Sequence, residues 1–176
     1  VYSPCNYAEL TYWLEYLLDQ GKGPRAIRYA RGGEPEALSA LGCSKQPYDV
    51  YAAKVPSKTA LVTYGTLTAE VLKAAQLLEQ QGTAVDVYKL VQINPLPKGL
   101  CEELTRYDHI LFAEECVEQG GIGDSLGAAL SEYRWPGHLT LRGVRSGRAI
   151  PHASVAELRE FLGLDAASLA NAIERD

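Results

Sequence analysis

The chain has 176 residues, a net charge of −5, and 47% apolar and 22% charged residues. That length suffices for one domain with a sizeable core, and the composition is that of a globular protein. The acidic balance argues against a general nucleic-acid surface, and no apolar run approaches the length that crosses a bilayer, so no membrane partner is expected. Cys5, Cys43, Cys101 and Cys116 form no CxxC pair, which predicts reduced thiols in a cytoplasmic protein rather than zinc or a dithiol motif. Met is absent and the chain begins at Val1, from which a fragment of a longer protein is expected.

In chain order, residues 1–3 read as the tail of an extended segment. A helix is predicted over 4–20, with Leu10, Trp13, Leu14, Leu17 and Leu18 on one face and Gly21 and Gly23 as its stop. Residues 24–30 read as a short strand ending beside Gly32 and Gly33. Residues 33–58, with Pro35, Pro47 and Pro56, read as a linker in which 48–55 adds a short strand. The stretch 59–90 is the clearest unit: an apolar strand ending at Gly65, an amphipathic helix, and a second strand over 84–90, a βαβ arrangement. Thr66 and Thr68 are candidate N-caps for that helix, Glu70 places a negative charge in its first turn, and Gly82 marks its end. Beyond a proline-stiffened loop at 93–97 come a helix over 98–107, a strand over 109–115, a glycine turn, a helix over 124–133 and a strand over 138–144. Ser154 with Glu157 has the capping-box pattern, and Asp165 opens a last helix. Repeated alternation predicts a mostly parallel sheet with helices on both faces.

Five pieces in order carry a resemblance: GPRAIRYARG, TYGTLTAEVLKAAQLLEQQG, NPLP, FAEECVEQGGIG and HASVAELREFLGLDAASLANAI. Together they resemble the C-terminal part of 1-deoxy-D-xylulose-5-phosphate synthases, within the transketolase superfamily. The resemblance implies a three-layer transketolase C-terminal-domain fold with a five-stranded, mostly parallel sheet and one antiparallel edge strand. It divides the chain into the tail of a pyrimidine-binding domain (1–33), a linker (34–57) and the C-terminal domain (58–176). It also implies a full-length transferase that condenses pyruvate with glyceraldehyde 3-phosphate on thiamine diphosphate and Mg²⁺, in isoprenoid-precursor synthesis, as a homodimer. The fragment itself holds no Gly-Asp-Gly motif, so no cofactor and no activity are expected of it alone. Alternatives are another enzyme of the superfamily, a transketolase or a pyruvate dehydrogenase beta subunit, or a stand-alone, non-catalytic assembly domain.

A guanidinium forks onto phosphate oxygens and stays charged at any relevant pH. The resemblance therefore makes Arg31 the ligand of the aldehyde's phosphate, with Arg28, on the opposite face of the strand from Ile27 and Tyr29, as a secondary candidate. Glu114 and Glu115 are neighbours on a strand and point to opposite faces, which excludes a paired-carboxylate site. Glu114, Gly120, Gly121 and Gly123 are read as shaping a loop and helix start near a subunit interface. His152, before a helix N-cap, is given a capping or packing role. No metal ligands and no catalytic residue are assigned within the chain.

Overall fold

Alternation along the strands decides which side of the sheet each residue serves. The computed structural model describes residues 1–20 and 22–174. Five strands, β1 Tyr48–Tyr51, β2 Thr59–Tyr64, β3 Asp86–Leu90, β4 His109–Val117 and β5 His138–Val144, form one sheet in the order β1-β3-β2-β4-β5. β1 runs antiparallel to β3; the other neighbours are parallel. This is the five-stranded, mostly parallel sheet with one antiparallel edge that the resemblance implied.

On β2, β3 and β4 the residues Val62, Tyr88, Ile110 and Phe112 join one buried cluster with α4 (Leu100–Leu104) and α5 (Ile122–Glu132). Their neighbours Leu61, Val87 and Leu111 join a second cluster with α3 (Thr68–Gln80) and α7 (Ala166–Glu174). The central strands are thus covered on both faces, which is why they read as near-continuous apolar runs. Each fully buried aliphatic or aromatic side chain contributes about 1.5–3 kcal/mol.

Several local expectations are corrected. Neither Thr66 nor Thr68 caps α3: the chain passes from β2 through a tight 3-10 turn, Gly65–Leu67, and the Thr68 N–H is already taken by the carbonyls of Gly65 and Thr66. The predicted strand over 24–30 reduces to a single bridge, Ile27 alongside Tyr2, because Tyr2 is the only strand-like neighbour it has among the described residues. The first helix, α1, spans Tyr7–Asp19 rather than 4–20, because the Asn6 side chain accepts from the Glu9 N–H at 2.8 Å and fixes its start. Of its predicted apolar face only Trp13 and Leu17 are buried, while Leu14 and Leu18 are 45% and 74% exposed. The helix stop expected at Gly21 lies outside the described residues.

Residues 34–57 carry a short helix, α2 (Glu36–Ser39), and the edge strand β1. The capping box predicted at Ser154 and Glu157 is formed and opens α6 (Val155–Leu162).

Candidate functional site

The strand order creates a switch point. From β2 the chain crosses to β3 on one side, and β4 lies on the other. In open α/β sheets ligands gather outside the carboxyl ends of the strands at such a point. Here those ends are Tyr64 on β2 and Glu114 to Val117 on β4.

The N-terminal segment delivers an arginine to this edge. Tyr2 is bridged on one side to Ile27 and on the other to Gln92, just past β3. The Arg28 N–H donates to the Tyr2 carbonyl at 2.7 Å, which fixes the Arg28 backbone. Its guanidinium lies over the Tyr64 ring, 5.3 Å from the centroid, and donates to the Glu115 carbonyl at 3.4 Å. The side chain remains solvent-exposed, so the rest of its donors are open to a ligand. Gly65 makes this approach possible. Its φ of +62° disfavours any side chain, and a Cβ there would lie 3.1 Å from Ser3 Oγ and 3.5 Å from Arg28 Nη1.

Beneath Arg28, Glu114 organises the loop. Its carboxylate is 2% exposed and accepts from Tyr64 OH at 2.8 Å, from the Ile122 N–H at 3.1 Å and from the Gly123 N–H at 3.1 Å. It therefore caps α5 from outside, since the N-cap residue is Gly121 and has no side chain to do so. A Cβ on Gly121 would stand 2.2 Å from Glu114 Oε1, and one on Gly123 2.9 Å from Phe112 Cδ1. Gly120 adopts φ +76° at the turn. Burial, then the charge and hydrogen bond of Glu114, push the Tyr64 phenol upward against the opposing Arg28. Tyr64 thus stays protonated and serves as a donor and a platform rather than a base.

Glu115 points the other way, as strand geometry requires, and pairs with Arg159 of α6 at 2.8 Å. Arg159 also donates to Thr66 Oγ1 at 3.2 Å, tying α6 to both strand ends. The arrangement can hold an anion by charge and forked hydrogen bonds. Arg31 is exposed and has no hydrogen bond or ion pair among the described residues. The loop that carries it, through Ala30, Gly32 and Gly33, borders a small cavity shared with Thr66. His152 is exposed, two residues before the cap that Ser154 forms.

Sequence reasoning missed the strongest charged cluster. Lys89, 1% exposed on β3, pairs with the fully buried Glu9 of α1 and with Asp49 Oδ2 at 2.7 Å on β1. Glu9 also accepts from the Cys5 N–H at 2.9 Å. Burial alone would lower the Lys89 pKa, but Cys5, then the hydrogen bonds to Asp49 and Glu9, raise it. Burial, reinforced by Glu9, pushes the Cys5 thiol up to about 12, so it is no nucleophile. A signal was present: a lysine inside the apolar run VDVYKLV, and a glutamate on the helix face that carries Trp13 and Leu17, each demand a buried partner.

A family model for the transketolase C-terminal domain matches residues 52–169. The chain belongs to the transketolase C-terminal domain family. Among its relatives, the 1-deoxy-D-xylulose-5-phosphate synthase of Magnetococcus marinus is 31% identical over 99% of this chain. Those of Chlorobium phaeovibrioides and Anaeromyxobacter are 30% and 33% identical over 98% of it. The chain spans 27% to 28% of the length of these relatives. A solved structure described as "Split gene transketolase, inactive beta4 tetramer" superposes with a TM-score of 0.84 at 27% identity, over 99% of this chain and 56% of that one. The resemblance implies thiamine diphosphate with Mg²⁺ for a full-length protein. The residues present here do not fit that group: the sequence lacks Gly-Asp-Gly. Nor do three His, Cys, Asp or Glu side chains converge on a metal position among the described residues.

Proposed function

We propose that this transketolase C-terminal domain and its N-terminal arm form the carboxyl-terminal part of a 1-deoxy-D-xylulose-5-phosphate synthase. The complete enzyme joins pyruvate to glyceraldehyde 3-phosphate with loss of CO₂. Thiamine diphosphate and Mg²⁺, held by parts of the enzyme outside this chain, supply the carbanion chemistry. The observation that carries the reading on this chain is Arg28. Its guanidinium is braced by Tyr64 and the Glu115 carbonyl at the carboxyl edge of the sheet, with open donors. Arg31, three residues on and unpaired, supplies the second charge, and together they grip the phosphate of the aldehyde.

The division into residues 1–33, 34–57 and 58–176 accompanies this reading. The Tyr2–Ile27 bridge spans α1, a βαβ unit in miniature, and the exposed Leu14 and Leu18 suit a helix that packs on more of a pyrimidine-binding domain. A homodimer in the cytoplasm is the expected setting. The test uses the complete enzyme. Arg31→Ala and Arg28→Ala should each raise KM for glyceraldehyde 3-phosphate at least about tenfold, one lost charge-assisted contact, while KM for pyruvate stays within about twofold. Equal losses for both substrates would remove the phosphate grip.

The solved relative described as an inactive tetramer of a split transketolase favours a second reading. In it this chain belongs to a separate subunit that needs a partner chain for turnover. Aldehyde-dependent CO₂ release from pyruvate by the complete natural protein alone decides for the synthase; release only after adding a second chain decides for the split enzyme.

A further inference from the structure

A cavity lined by arginines lies beyond β5, away from Arg28. Arg142 near the end of β5 and Arg145 and Arg148 in the following turn line one cavity of about 390 Å³. Its other wall is the last turn of α6, with Phe161, and Ser168, the third residue of α7. That volume falls in the range of small-molecule sites.

Arg106 and Arg159 are ion-paired, with Asp86 and Glu115. Arg142, Arg145 and Arg148 have no ion pair among the described residues, although Glu118 and Glu160 line the same cavity. Glu118 is instead engaged by the Gly143 N–H at 3.1 Å. Arg148 is held in place, with Cζ 4.0 Å from the Phe161 ring centroid and a hydrogen bond to the Phe161 carbonyl at 3.0 Å. Arg142 donates to the Leu141 carbonyl at 3.1 Å. A guanidinium carries five N–H donors, so most remain open on all three. Three guanidiniums outweigh two carboxylates here, on a chain whose net charge is −5.

We propose that this cavity binds a small phosphate-bearing anion, a diphosphate or a phosphomonoester, independently of the Arg28–Arg31 edge. The forked donors match phosphate oxygens, and Phe161 covers one side with an apolar wall.

The experiment is calorimetric titration of the purified chain with inorganic pyrophosphate, beside glycerol 2-phosphate and sodium chloride of matched ionic strength. One equivalent of pyrophosphate should bind with a dissociation constant below about 1 mM. The double variant Arg145→Gln/Arg148→Gln, both exposed positions, should weaken it at least about tenfold, while Arg28→Ala changes it less than about twofold. Tighter binding of the ester assigns the site to an organic phosphate, and tighter binding of pyrophosphate to a diphosphate. The proposal is overturned by an absence of saturable heat, by heat that sodium chloride reproduces, by equal binding to the double variant, or by loss with Arg28→Ala instead.

Discussion

Replacing Lys89 by methionine should loosen the N-terminal arm from the sheet. The substitution keeps the stem's volume and removes the charge that Glu9 and Asp49 share. Glu9 is 0% exposed, so its carboxylate is then buried without a cation. Breaking a buried pair in this way costs about 3–5 kcal/mol, because the desolvation penalty stays while the attraction goes. For a domain of this size that corresponds to roughly 6–20 °C in Tm, taking about 2–4 °C per kcal/mol. A second substitution separates pairing from packing. Glu9→Gln retains a carbonyl for the Cys5 N–H, so Glu9→Gln/Lys89→Met should recover at least about half of the single-variant loss through the coupling of two touching groups. Urea unfolding followed by circular dichroism gives the energies. Fluorescence gives the location, since Trp13 stacks on Tyr2 at 4.7 Å in the arm and Trp135 packs against the α4–α5 cluster. A loss below about 1 kcal/mol for Lys89→Met, or a double variant as unstable as the single, would refute the reasoning.

Gly121→Ala should lower stability by about 1–3 kcal/mol, an overpacking cost, because its Cβ meets Glu114 Oε1 at 2.2 Å and the Val117 carbonyl at 2.8 Å; an unchanged urea midpoint would contradict the packing described. Alkaline pH should unfold the chain from about pH 10 upward. Burial, then the bond to Glu103, push Tyr48 up to about 12, and Tyr64 and Tyr88 are raised as well. The unfolded chain loses these protons first, near pH 10, so stability is full below that value and falls as pH rises; the raised Lys89 acts with the same sign. Absorbance at 295 nm should show some of the 11 tyrosines ionising near pH 10 and the buried ones only with unfolding. A single step for all of them with the fold intact would contradict this.

Legibility followed the range of the interactions. The strands over 59–64 and 138–144 and the Ser154 cap were readable because apolar runs, turn glycines and a capping box act within a few residues. The threonine caps failed for a local reason too subtle for a pattern: a 3-10 turn had already used the N–H in question. The strand over 24–30 failed because a strand exists only with a partner, and Tyr2 offers just one residue of pairing. The face of α1 was overread, since periodicity marks Leu14 and Leu18 as apolar but cannot say what covers them. At the site, both arginines and the glutamate–glycine turn were visible as residue types. Their roles were not, because Glu114 acts on Tyr64, fifty residues away, and Arg28 on Tyr64 and Glu115.

By itself, then, the sequence determined the succession of strands and helices, the family they belong to, and which residues carry charge or lack a side chain. Near-neighbour propensity and periodicity are enough for that. Only the tertiary structure decided which of them meet: Lys89 with Glu9 across 80 positions, Arg28 over Tyr64, and three arginines around one cavity. Those encounters depend on strand order and on what each buried charge needs for a partner, and both are settled when the sheet closes rather than along the chain.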